Sequence, residues 1–286
     1  MNFKIKHYPQ VRICDEFYAV IDFLKNHSGG DYNKNWHWAR WEWLLGHSML
    51  DEATLSSIVM FMDEEKIAGL LTHDMGQAFY CLTNPQYLGL KTVMIDCAIE
   101  NGICEIFGDE NDDELLALLN VKGFSLTDDR EHTLVMNCKE KFSYNLDEKF
   151  QITDFSKSKD IDKFCLVFHK GFENSGEPPT GLTLADFPEQ PHQNPELTVF
   201  IAAPNGEYAA HCGVWYLPET QMAYIEPVVT IPDFQGYGLG KAVVYEAVNR
   251  AIDIGAKQAM VISNQPFYHK IGFKPHAVSN LWEKKL

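Results

Sequence analysis

The chain has 286 residues, which at roughly 150 per domain fits two domains, each with its own hydrophobic core. A hydrophobic share of 45% and a charged share of 22% exclude a disordered or fibrous chain. With 24 Lys+Arg against 40 Asp+Glu the formal net charge is −16, so a surface that neutralises phosphate backbones is excluded and nucleic acid is not an expected partner.

Taken in chain order, residues 3–8 alternate apolar and basic side chains as a half-buried strand does, and they lack the apolar run of a signal peptide. No run of about 18 uncharged apolar residues occurs anywhere, so a cytoplasmic protein with no membrane span is expected. Trp36, Trp38, Trp41 and Trp43 fall on two sides of one helix at about 100° per residue, which predicts a helix packed on both faces. Residues 58–62, 67–73 and 79–83 read as successive strands, followed by a helix over 91–100 that ends before Gly102. The polar stretch 141–148 marks a boundary, giving domains 1–145 and 146–286.

The second half repeats the pattern. Strands are predicted over 197–203, 208–216 and 222–230, with turns at Pro204-Asn205-Gly206 and Leu217-Pro218-Glu219. Val243, Val244, Ala247, Val248 and Ala251 recur at helical spacing, Gly255 stands at a C-terminal cap, and 259–262 forms a short buried strand. Landmarks recur in the same order: Phe3 and Phe150 are offset by 147 (150 − 3), Pro85 and Pro232 by 147 (232 − 85), and Gly123-Phe124 and Gly272-Phe273 by 149 (272 − 123). A near-constant offset points to a duplicated domain. Each half reads as an antiparallel meander feeding one strand, loop, helix, strand crossover.

The chemistry concentrates at residues 228–242, where a strand ends, a glycine-rich turn follows and a helix begins. Successive backbone N–H groups at a helix N-terminus make an anion site, most naturally for a pyrophosphate. The segment is not a P-loop, which would need Gly at 235 and Ser or Thr at 242, where Gln235 and Ala242 stand. Nor is it the dinucleotide fingerprint, which would need Gly where Lys241 or Val243 stands.

Gln235, Gly238 and Gly240 match the R/Q-x-x-G-x-G/A pattern, and the segment resembles the acetyl-CoA loop of the GNAT N-acetyltransferase superfamily. Downstream, Phe267-Tyr268-His269-Lys270-Ile271-Gly272-Phe273 looks like that family's tyrosine-containing helix and closing Gly-Phe. The resemblance covers about 150–286, while the first half shares only the order of elements and the repeated landmarks, as in tandem GNAT chains. It implies an α/β (α+β) fold of two tandem GNAT-like domains, each a mixed, mostly antiparallel sheet flanked by helices. It also implies that Gln235, Gly236, Tyr237, Gly238, Leu239, Gly240 and Lys241 hold the CoA pyrophosphate. Val228 and Val229 would offer backbone groups to the pantetheine arm, with one N–H polarising the thioester carbonyl.

Pro227 inside an apparent strand removes a ladder donor and predicts a bulge or an edge. Glu226, beside it among apolar neighbours, is the candidate general base, since desolvation raises a carboxylate toward a useful pKa. Tyr268 is the matching candidate for general acid toward the departing thiolate, and Asn264 is carried over as a contact to the pantetheine arm. In the first half the positions of Glu226 and Tyr268 hold Phe79 and Leu119, and 86–91 has one glycine, so that domain is expected to be non-catalytic.

Seven Cys form no C-x-x-C pair and no H-E-x-x-H occurs, so reduced thiols and no metal are expected. The prolines at 178, 179, 188, 191 and 195 mark a loop over 176–195 where the family shapes its acceptor site. The expectation is direct acetyl transfer from acetyl-CoA to a primary amine on a small molecule or peptide. The competing reading is a non-catalytic acyl-CoA sensor or interaction protein. Oligomeric state is not legible in the sequence.

Overall fold

The computed structural model describes residues 3–26, 36–76 and 78–285. The chain divides into two compact units. Unit 1 comprises Met1–Leu134, Ile262–Gln265 and Pro275–Leu286, and unit 2 comprises Val135–Val261 and Pro266–Lys274.

The first half runs β1 (Lys4–His7), α1 (Asp15–Asn26), α2 (Trp38–Gly46), β2 (Val59–Asp63), β3 (Lys66–His73), β4 (Phe79–Thr83), α3 (Leu90–Glu100), β5 (Glu105–Asp109), α4 (Asp113–Val121) and β6 (Ser125–Asn137). Strands β1 to β4 pair antiparallel in sequence order, and β5 lies parallel to β4. One face of this sheet buries Phe61, Leu71, Met94, Ile95, Ile106 and Phe124 in a common core with α3 and α4. Asp112 caps α4 by accepting from the Leu115 N–H, which satisfies one of the helix's orphan donors.

The second half follows the same order: β7 (Gln151–Asp154), α5 (Ile161–Gly171), β8 (Thr198–Ala202), β9 (Tyr208–Tyr216), β10 (Met222–Thr230), α6 (Leu239–Asp253), β11 (Gln258–Ile262), α7 (Pro266–Lys270) and β12 (Lys274–Glu283). Again β7 to β10 pair antiparallel and β10 to β11 parallel. All nine residues of β9 are buried, as expected of a strand covered on both faces by helices. Asp160 caps α5 while His169 and Lys170 sit in its last turn, both placements favoured by the helix dipole. Within this unit the buried Asp154 carboxylate accepts from Arg250 at 2.7 Å, joining β7 to α6.

The ranges 79–83, 208–216 and 222–230 read as strands coincide with β4, β9 and β10. The predicted cap at Gly255 sits one residue past the C-cap Ile254, with φ 112° and the Ala256 N–H closing on the Ala251 carbonyl at 2.9 Å. Three details differ. All four residues of β1 are exposed rather than half buried: it pairs with β2 at the start of the strand order, and α1 reaches it through the Lys6–Glu16 ion pair at 2.6 Å. Trp36 precedes α2, whose N-cap is His37. It still packs as expected: Trp36, Trp38 and Trp41 are fully buried.

The third difference concerns the division of the chain. Residues 141–148 belong to unit 2, where Phe142 N–H donates to Asn249, Tyr144 donates to Glu246 and Lys141 pairs with Asp253, all on α6. The final strand also returns to unit 1: β12 runs antiparallel to β5, with Ser279 opposite Asp109 and Glu283 opposite Glu105. Among the described residues no helix is long and apolar enough to cross a membrane.

Candidate active site

The site of unit 2 is built where two strands part. Strand β10 pairs with β11 only at Met222, Ala223 and Tyr224, so from Ile225 onward its edge is released from its parallel neighbour. On its other side Ile225 faces Val214 and Val228 faces Cys212, which leaves Glu226 and Pro227 opposite the single residue Gly213. That extra residue is the bulge expected from the proline, which has no N–H to give the ladder. Gly213 accommodates it: a β-carbon there would lie 2.5 Å from the Glu226 carbonyl oxygen. The same oxygen accepts from Trp215 Nε1 at 2.8 Å, which pins the bulge to β9. Gly213 and Trp215 are contributors that sequence reasoning missed; a glycine inside an otherwise apolar strand was the available signal.

Beyond β10 the chain makes a short turn at Pro232–Phe234 and reaches Gln235, whose amide points back to the Thr230 carbonyl at 3.5 Å. Gly236 and Gly238 then take left-handed conformations, φ 84° and 77°, and Gly238 caps α6 without any side chain. Open space surrounds both glycines, so their requirement is backbone conformation and a clear approach for a ligand. Gly240 is different in kind. A β-carbon there would press on Thr230 Oγ1 at 3.2 Å and on the Phe267 ring at 3.3 Å, so it sets how closely α6 meets α7. The first amides of α6, at Leu239, Gly240 and Lys241, lie ahead of any i−4 carbonyl within the helix and make an anion cradle. Tyr237 is exposed and rests edge-on against Phe150, with Lys149 Nζ 4.8 Å from its ring. Lys241 leans on Tyr245. Two cations therefore flank the cradle.

Tyr268 lies on α7, buried between Phe267 and Phe273 with ring centroids at 5.1 and 5.7 Å. Burial, followed by the charges of Cys212 and Glu226, raises its hydroxyl well above the ordinary tyrosine range. It therefore holds its proton at neutral pH. Glu226 is half buried and acts electrostatically on both Tyr268 and the buried thiol of Cys212, whose pKa burial also raises. A carboxylate, a protonated phenol and the free edge of β10 thus meet in one region. Val228 is half buried and Val229 buried on that edge. His211 belongs to the other face of β9: it stacks on Phe200 at 4.6 Å, and burial lowers its pKa to about 3. The described residues contain no group of three or more His, Cys, Asp or Glu able to hold a metal ion.

Asn264 is the one predicted residue that does not fall in unit 2. It belongs to Ile262–Gln265 of unit 1, a segment tied there by the Ser263 N–H donating to the His132 carbonyl at 2.8 Å, and it lines a cavity of that unit.

Unit 1 keeps the scaffold with different residues at the matching positions. Strand β4 leaves β5 after Tyr80, and Gly89 caps α3 with φ 77°, the same value as Gly238. The loop nevertheless presents Lys91 already held by Asp112 at 2.6 Å and Glu114 at 3.1 Å, carboxylates that oppose an anionic ligand. Phe79 and Leu119, which stand for Glu226 and Tyr268, are packed in the core.

The Acetyltransferase (GNAT) family model matches residues 166–273. Among curated proteins, a glucosamine 6-phosphate N-acetyltransferase of Trypanosoma brucei brucei is 27% identical over 115 residues, covering 37% of this chain and 78% of the relative. Among solved structures, a GCN5-related N-acetyltransferase from Sphaerobacter thermophilus has a TM-score of 0.60 at 14% identity, covering 99% of this chain and 95% of its own. A tandem GNAT protein from the clavulanic acid biosynthesis pathway has a TM-score of 0.59 at 9% identity, covering 98% of both chains. The two structures establish a shared tandem fold.

Proposed function

We propose that the chain, whose residues 166–273 match the Acetyltransferase (GNAT) family model, moves an acetyl group from acetyl-CoA to a primary amine by direct attack in a ternary complex. The observation that carries this reading is the meeting of Glu226, Tyr268 and the released edge of β10 beside a glycine cradle at the N-terminus of α6. Gly236 and Gly238, with open space where side chains would be, fit a pyrophosphate held by the amides of Leu239, Gly240 and Lys241. Val228 and Val229 offer backbone groups to the pantetheine arm.

In this reading Glu226 takes a proton from the substrate ammonium, directly or through a water. The freed amine nitrogen attacks the thioester carbonyl carbon, and a backbone N–H at Val228 or Val229 donates to the developing oxyanion. As the carbon–sulfur bond breaks, Tyr268 gives its proton to the thiolate and is reprotonated by the proton that the acylated nitrogen sheds, while Glu226 releases its proton to solvent. Acetyl leaves on the amine and free CoA is released. The curated relative's name places a hexosamine phosphate among the acceptors to test first. A cationic amine also suits the chain's net charge of −16.

Calorimetric titration of the full chain with acetyl-CoA, with Gly238→Trp as control, tests the reading. One site per chain that is lost in the variant, followed by CoA release with an amine from a panel of amino sugars, polyamines, amino acids and peptides, supports it. Failure to bind acetyl-CoA would overturn it.

A further inference from the structure

Unit 1 contains a cavity of about 560 Å³, inside the roughly 300–1,000 Å³ range of small-molecule sites. Every residue that lines it belongs to unit 1. Its floor is Arg40 of α2, 6% exposed. Glu131 grips the guanidinium through both oxygens at 2.9 and 2.8 Å, and Asp74 Oδ2 accepts from Nε at 3.1 Å and from a terminal nitrogen at 2.9 Å. Tyr80 accepts from Arg40 at 3.0 Å and donates to Glu131 at 3.0 Å. The guanidinium also sits 4.5 Å from the Trp36 ring and 4.9 Å from that of Tyr80.

A network of this kind stabilises a fold no better than an apolar cluster of the same volume, because desolvating the charges offsets their attraction. Its effect here is to hold one carboxylate in place. Asp74 has Oδ2 saturated by Arg40, while Oδ1 receives no hydrogen bond from the described residues and the side chain is 35% exposed. On β6, Arg130 lines the same cavity, is exposed, and makes no ion pair or hydrogen bond with the described residues. Tyr80 and Phe107, stacked at 5.3 Å and 18°, supply an aromatic wall. Asp74 with its open carboxylate oxygen, Arg130 and the flat Tyr80–Phe107 surface therefore line a single ligand-sized space.

We propose that this cavity binds a small zwitterion, with its ammonium on Asp74 Oδ1 and its carboxylate or phosphate on Arg130. Arginine's planar fork matches either anion, and the Arg40 network makes Arg40 a positioning residue for Asp74. Of the residues carried over for acetyl-CoA the site shares Asn264, and it uses neither Glu226, Tyr268 nor the glycine cradle of unit 2. It gives the non-catalytic unit a binding role of its own.

The test is calorimetric titration of the full chain with two arms of probes. One arm is glucosamine 6-phosphate, with glucosamine and glucose 6-phosphate as single-charge controls. The other is each proteinogenic amino acid, with the corresponding amides and N-acetyl derivatives as controls. A zwitterion from one arm should bind, with affinity falling at least about tenfold for its single-charge controls and in Asp74→Asn and Arg130→Gln alike. Acetyl-CoA affinity should stay unchanged in both variants, which separates this site from the transferase reading. No binding from either arm at about 10 mM, or binding that survives both substitutions, overturns the proposal.

Discussion

A β-carbon placed on Gly171, the last residue of α5, would lie 1.6 Å from Val229 Cγ2 on β10. The helix end therefore rests directly on the strand edge proposed to polarise the thioester carbonyl. Gly171→Ala gains up to about 1 kcal/mol of helix propensity, less at a helix end, but the overlap involves a buried side chain with nowhere to retreat. The expected net result is about 2 kcal/mol of destabilisation together with lost turnover. Adding Val229→Ala, which removes the clashing methyl, should recover part of both. A thermal melt and an acetyl-transfer assay on the two single variants and the double variant check this; additive losses would disprove direct contact.

Tyr268→Phe should lower turnover by about 10²- to 10⁴-fold with acetyl-CoA affinity retained, because the hydroxyl is removed while the ring stays between Phe267 and Phe273. Burial raises the Tyr268 pKa, so the wild-type rate should show no alkaline decline from this group near its ordinary value of about 10. Steady-state rates from pH 6 to 10 distinguish the outcomes. Unchanged turnover in the variant would remove Tyr268 from the reaction.

Asp154 links stability to pH. Burial opposes its ionisation, yet hydrogen bonds from Ser156, Lys157 and Arg250 outweigh that effect and hold the carboxyl below its usual range. A depressed carboxylate contributes stability that is present above its unfolded pKa of about 4 and is lost as pH falls through the folded value. Asp154→Asn should therefore cost about 3 kcal/mol near neutrality, since it leaves Arg250 without its buried partner. It should also flatten the fall in stability below about pH 4. Urea denaturation at pH 7 and pH 3 measures both; equal losses at the two values would refute the linkage.

Unit 1 depends on the far end of the chain. Lys284 N–H donates to the Cys104 carbonyl at 2.8 Å, the Leu281 carbonyl accepts from Thr127, and Trp282 packs on the core of unit 1. Removing residues 275–286 should leave β5 with an unpaired edge and lower hydrogen-exchange protection in β4 and β5. Protection equal to that of the full chain would show that β12 is dispensable to this unit.

Much of unit 2 was legible because its signals are local. The apolar runs of β9 and β10 between turn residues, the apolar spacing of α6 and the glycines at 236 and 238 each act over a few residues. The proline at 227, by its missing N–H, announced a bulge or an edge, and the register opposite Gly213 made it a bulge. The duplication was legible too, since a repeated order of landmarks needs no knowledge of contacts.

Other features rest on residues that only folding brings together. Strand β12 joins β5 across some 170 positions (279 − 109), and nothing in either segment's pattern names its partner. The return of Asn264 to unit 1, the Arg40 clamp with Asp74 and Glu131, and the seat of Gly171 on Val229 have the same origin. Periodicity says which face of an element is apolar and where an element stops. Which face meets which neighbour, and what cavity is left between them, is decided by packing the whole chain at once.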